Sequence, residues 1–308
     1  TRDSEEVVRC STPASLDAGR VAVRLINNDA VYAATVAFEY LPVASVSSIE
    51  PPVGLLAGST QLRVRGAGFL PAASAFCRIG THRVVVARVV SSSLLECQTP
   101  SHTVAELLSV EVSLNGLDYG DDGVLFEYQS AASVAEVSPS KGPVEGGTLV
   151  NATGSGFAAR SAALSYLRVR FGTVTVPVVW VSTSELRVVA PEHSASLVTV
   201  ELTLNDQQYT SDGVHFEYEA VVLHTIEPRT GPVRGGSAVT LFGGRIHAPG
   251  AEGLFCKFAG APAVGATRDS EEVVRCSTPA SLDAGRVAVR LINNDAVYAA
   301  TVAFEYLP

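Results

Sequence analysis

The chain has 308 residues, of which 17% are charged, and a formal net charge of -9 with only two lysines. Binding a phosphate backbone requires a basic face, so this balance excludes a nucleic-acid binder; the 20 arginines are spread singly along outward strand faces. There is no methionine, no signal peptide and no apolar run of the roughly 20 residues a membrane helix needs, which excludes membrane insertion by this stretch and leads us to expect an internal segment of a larger protein.

Residues 1–42 recur without one change as residues 267–308. A core tolerates wide substitution at constant volume and polarity, so identity at 42 positions reflects duplication rather than a shared fold, and repetition is expected to build rods and arrays. The sequence predicts three strands in 1–42, at 7–10, 21–25 and 36–40, the back half of a sandwich. Three such strands are marginal without a covering sheet. The missing front half, equivalent to 221–266, is therefore expected from a preceding repeat or a neighbouring subunit.

Three full modules follow. Phe-Glu-Tyr closes a segment at 38–40, 126–128, 216–218 and 304–306, with spacings of 88, 90 and 88 residues. Each opening is rich in proline and glycine, as in Pro139-Ser140-Lys141-Gly142-Pro143-Val144-Glu145-Gly146-Gly147-Thr148, and reads as paired turns leading into a strand. Between these marks the apolar period is two, as in Gln61-Leu62-Arg63-Val64-Arg65, Val110-Glu111-Val112-Ser113-Leu114 and Val287-Ala288-Val289-Arg290-Leu291, the pattern of strands with one buried face. Hairpin signals stand at Asn115-Gly116, Asn205-Asp206 and Asn293-Asn294-Asp295. No stretch has a helical period. The domains are expected at 43–130, 131–220 and 221–308, with 1–42 a half-domain, and the fold class is all-β, tandem antiparallel sandwiches in a rod. Links without Gly/Ser runs predict nearly fixed angles between modules.

These residues resemble a known family, the IPT/TIG module, an immunoglobulin-like domain found in plexins, growth-factor receptor ectodomains, some secreted proteins and Rel-type transcription factors. The resemblance rests on the opening at 139–148, on Gly66-Ala67-Gly68-Phe69 and Gly154-Ser155-Gly156-Phe157, on Cys97-Gln98-Thr99-Pro100 and on the closing Phe-Glu-Tyr. It covers the whole chain. The third module departs from it, with Gly243-Gly244-Arg245 and no following Gly-Phe.

Cys77 and Cys97 lie 20 apart, as do Cys256 and Cys276, and each pair reads as a disulfide within one module. Cys10 shares the context of Cys276, so its partner is expected in the preceding repeat or another subunit. Val169 and Val188 take the cysteine positions in the second module, which must hold by packing alone. Paired cysteines imply an oxidising, extracellular or cell-surface setting, and the sequon Asn151-Ala152-Thr153 agrees, with Asn151 on the outward parity of its strand and expected to carry an N-linked glycan. Trp180, the only tryptophan, either fills core volume near the missing disulfide or anchors a contact between rods. Phe242 falls on the outward parity of its strand and is a candidate for an exposed interface contact. The low share of charge against a usual figure of about 25% is expected to reflect lateral packing or glycosylation.

No enzyme is expected. The six histidines (His82, His102, His193, His215, His224, His247) are scattered, no nucleophile elbow or phosphate loop occurs, and no metal or other cofactor is implied. Asp118, Asp121 and Asp122 lack the spacing of a calcium loop and read as a solvated turn. The functional expectation is a structural extracellular protein whose modules assemble with copies of themselves, head-to-tail and laterally, into a filament or surface fibre; the alternative is an adhesive or receptor stalk presenting a tip outside this segment.

Overall fold

A computed structural model describes residues 7–27, 30–70, 74–81, 83–246, 253–293 and 296–308. His82, His247 and the turn residues Asn294 and Asp295 lie outside these. The chain divides into two compact units, 1–52 with 57–102 and 106–127, and 53–56 with 103–105 and 128–308. The architecture is all-β, in tandem immunoglobulin-like sandwiches.

The strands of the first module, most of them in the first unit, run Ser45–Glu50, Gln61–Ala67, Leu94–Gln98, Arg83–Ser91, Ala75–Ile79, Leu107–Ser113, Leu125–Gln129 and Val53–Leu55 in hydrogen-bonded order. The long strand Arg83–Ser91 pairs on one side with Ala75–Ile79 and on the other with Leu94–Gln98, so it joins the two sheets. Alternation puts Leu62, Val64, Cys77, Ile79, Leu95, Val110, Val112 and Phe126 inside.

The second unit holds two sandwiches. In the third module Ala263–Arg268 again joins Leu254–Phe258 to Val273–Ser277. The second module lacks this bridge. Val174–Pro177 stays with Arg168–Phe171, and Val179–Ser182 pairs with Glu185–Val189. Pro177 has no N–H to give to a ladder, so the strand breaks there and the sheets separate. A five-residue helix, Ala159–Ala163, is also present; at under two turns it leaves no periodicity for the sequence to show.

The repeated motifs have a common cause. Gly146 has φ +74°, and a Cβ there would stand 2.6 Å from the Pro191 carbonyl carbon. Gly58 meets Pro100 and Gly235 meets Pro279 in the same way. The opening glycines and the proline after the later cysteine position are thus one contact seen from two sides. Gly154 likewise lets its strand lie against Ser133, where a Cβ would be 2.0 Å from the carbonyl oxygen. In the third module Ile246 is fully buried at the place of the missing phenylalanine. Its N–H bonds Glu271 O at 3.0 Å, as Phe157 N–H bonds Thr183 O.

The duplicated 42-mer is seen in two environments. In the third module Val273–Ser277 pairs with Ala238–Gly244 and Ala263–Arg268, and Gly285–Asn293 pairs with Val302–Leu307. In residues 7–42 only the last pairing forms, as Gly19–Asn27 against Ala30–Tyr40 in the same register. The expected strand at 7–10 is corrected: among the described residues it makes a single bridge, at Val8, without the partner strands that its copy has. Exposure follows, since Leu25, Tyr32 and Phe38 are 48%, 52% and 38% exposed where Leu291, Tyr298 and Phe304 are fully buried.

Candidate functional site

Cys77 and Cys97 are joined across the bridging strand, with Cα atoms 6.5 Å apart, and Cys256 and Cys276 repeat this geometry. Val169 and Val188 fill the corresponding volume in the second module, both buried. Cys10 is a free, exposed thiol.

Arginines on the strand faces and aspartates of the turns have structural partners. Arg78 is held between Glu111, at 2.7 Å from its Nε, and the ring of Tyr119, whose centroid lies 4.1 Å from the guanidinium carbon. Arg170 repeats this with Glu201 at 3.0 Å and Tyr209 at 3.9 Å. A cation sandwiched between a carboxylate and an aromatic face pins the last hairpin to the sheet. Asp122 Oδ2 accepts from Val46 N–H at 2.8 Å, and Asp212 accepts from Val134 N–H at 2.8 Å. Asp118 accepts from Asn115 Nδ2, while Asn115 Oδ1 caps the N–H groups of Leu117 and Asp118. These carboxylates serve the turn, and among the described residues no group of three His, Cys, Asp or Glu is placed to hold a metal.

Within the second unit, one hydrogen bond ties the second module to the third, and another joins the helix Ala159–Ala163 to Gln129. Ser161 Oγ donates to Gln129 Oε1 at 2.7 Å in a buried setting, and Ala299 N–H donates to Glu145 Oε1 at 2.7 Å. The connections are short: residues 130–132 separate Leu125–Gln129 from Ser133–Ser138, and 220–221 separate His215–Glu219 from Val222–Glu227. Sequence reading missed both bonds, since partners 32 and 154 residues apart leave no local signal. Lys141 pairs with Glu217 at 2.7 Å and Glu219 at 3.8 Å, and these carboxylates raise its pKa. Burial pushes the phenols of Tyr218, Tyr298 and Tyr306 up.

Trp180 is half-buried; it packs against the core of the second module, and its indole N–H donates to Phe157 O at 2.9 Å. Phe242 is half-buried between Thr225 and Val273. Asn151 is exposed on the middle strand Leu149–Ser155, between Ser138 and Arg187, with Val150 and Ala152 inside.

A family model described as IPT/TIG domain matches residues 44–128 and 132–218. Fibrocystin-L of Mus musculus is 26% identical over 201 residues, covering 65% of this chain, and Fibrocystin-L of Homo sapiens is 30% identical over 156 residues, covering 46%. The chain aligns with 4% of the length of each. Among solved structures, the plexin A4 extracellular region matches 85% of this chain and 33% of its own at 17% identity, with a TM-score of 0.46.

Proposed function

The chain belongs to the IPT/TIG domain family, and from that premise we propose that it is a non-catalytic stalk segment of an extracellular, receptor-like protein, holding other parts of that protein at a set spacing. The observation that supports this is the bond across the short link between the second and third modules, Glu145 to Ala299, which limits hinge motion there. Two disulfides support an oxidising compartment. No cofactor enters this reading, and neither a nucleic acid nor a bilayer is a partner of this segment.

A second reading, assembly with copies of itself into a filament, is favoured by one observation. The hairpin Gly19–Asn27 with Ala30–Tyr40 leaves uncovered a face whose identical copy is covered by residues 221–266. In this reading that segment, from a preceding repeat of the same polypeptide or from another molecule, completes the sandwich head-to-tail, Cys10 bonds the copy of Cys256 it carries, and Trp180 and Phe242 offer lateral contacts. Sedimentation of the secreted chain over a range of concentrations separates the two. A constant monomer mass supports the stalk; open-ended growth with concentration, blocked by Phe38→Glu, supports the filament.

A further inference from the structure

The sheet face around Asn151 differs from its counterparts in one respect that points to a modification. In the first module the row across the outer face reads Glu50, Arg63, Glu96, Arg88, four charges of alternating sign paired strand to strand. The same row in the second module reads Ser138, Asn151, Arg187, Val179. In the third it reads Glu227, Thr240, Arg275, Thr267. The adjacent row changes in the same direction, from Gln61 and Gln98 in the first module to Leu149 and Val189 in the second. Val179 is 65% exposed and Leu149 and Val189 are 41% and 49% exposed, so three apolar side chains stand in water around Asn151 where the first module presents charge and amide. An apolar cluster on a sheet face invites association unless something hydrated covers it.

We propose that Asn151 carries an N-linked oligosaccharide and that this glycan shields Leu149, Val179 and Val189, replacing the hydration that the charged row supplies in the first module. The proposal rests on the extracellular reading above, since the modification needs the secretory pathway. The sequon is complete in Asn151-Ala152-Thr153, and Asn151 faces out. In the transfer, Asn151 Nδ2 forms a bond to C1 of the sugar of a lipid-pyrophosphate oligosaccharide. The C1–O bond breaks, the pyrophosphate leaves with the electron pair, and the nitrogen gives one proton to a carboxylate of the transferase. Strand Leu149–Ser155 is paired on both sides, with Ser133–Ser138 and with Glu185–Val189, so the folded backbone cannot enter a transferase site. The sugar is therefore added before this sheet closes.

The test uses the full chain expressed with a secretion signal in animal cells. The expected result is an intact mass raised by one oligosaccharide, which an amidase removes while converting Asn151 to Asp. Thr153→Ser keeps the sugar and Thr153→Val loses it. Asn151→Gln is expected to increase self-association at least several-fold in sedimentation, and Leu149→Thr, Val179→Thr and Val189→Thr added to it restore the monomer. A secreted chain with both disulfides and a bare Asn151 overturns the proposal, as does a glycosylated chain whose Asn151→Gln form stays equally monomeric. A chain that forms neither disulfide nor leaves the cell overturns the extracellular reading, and this site with it.

Discussion

Tyr40 donates its phenolic hydrogen to the carbonyl of Pro13 at 2.8 Å, and its duplicate Tyr306 makes the same bond to Pro279 at 2.9 Å. This loop contact needs no covering strands, because both partners lie inside the 42 residues. What is lost is non-local: burial of Leu25, Tyr32 and Phe38, each worth about 2 kcal/mol when complete. Hydrogen exchange read by mass spectrometry is expected to show it directly. A peptic peptide common to 19–40 and 285–306 gives two isotopic populations of equal size, one exchanging fast and one slow. Adding a synthetic peptide of residues 221–266 shifts the fast population toward the slow one; a single slow population without the peptide would contradict the exposed face.

Trp180 reports on the second module alone, being the only tryptophan, and that module has valines where the others have a disulfide. Reduction of the full chain is expected to destabilise the first and third modules by about 3 kcal/mol each, from the chain entropy regained when a loop of this length opens. In guanidinium titrations the circular-dichroism transition moves to lower denaturant while the Trp180 fluorescence midpoint stays in place. A matching shift of the tryptophan transition would show that the modules unfold together.

Period-two patterning made the strands legible, because Leu62 and Val64, or Val110 and Val112, are buried by a face that their own neighbours define. Three features were not legible, and each depends on a distant partner. The segment 7–10 carries the same letters as 273–276, yet only the latter has flanking strands to pair with. The sheets of the second module separate at Pro177, whose effect depends on its lying in the bridging strand. Ile246 does the work of the phenylalanine in the other modules, a replacement hidden because Gly243-Gly244-Arg245 breaks the motif while keeping the buried volume. At the candidate site, the sequence marked Asn151 but not the exposed apolar neighbours Val179 and Val189, which reach it only through strand register.

Asp122 and Asp212 each hold a backbone N–H of the first strand of their module, at Val46 and Val134. A carboxylate bonded to an amide contributes about 2 kcal/mol more than an unpaired one. Asp122→Ala and Asp212→Ala are each expected to lower the stability of their own module by that amount in denaturant titration. Since these oxygens already have donors, millimolar calcium leaves the melting temperature of the wild-type chain in place. A calcium-dependent rise that Asp122→Ala abolishes would instead make this turn a cation site.

Tyr218, Tyr298 and Tyr306 are expected to set the alkaline limit of the fold. Burial raises their phenol pKa values above the unfolded value near 10, so the folded state keeps protons that the unfolded state releases. Stability from this source is complete below pH of about 10 and is lost as pH rises from there toward the folded values, because each step upward favours the chain that has ionised. Tyr218 stacks on His193 at 5.0 Å between ring centroids and contacts Phe171 and Phe216, so a phenolate there has apolar and aromatic neighbours rather than water. The difference in tyrosinate absorbance between the wild-type chain and Tyr218→Phe is expected to rise in step with loss of the Trp180 transition rather than ahead of it. Tyr218→Phe, which keeps the ring and removes the ionisable hydroxyl, moves the unfolding of the second module to higher pH; an unmoved midpoint would mean that this phenol ionises without opening the sandwich.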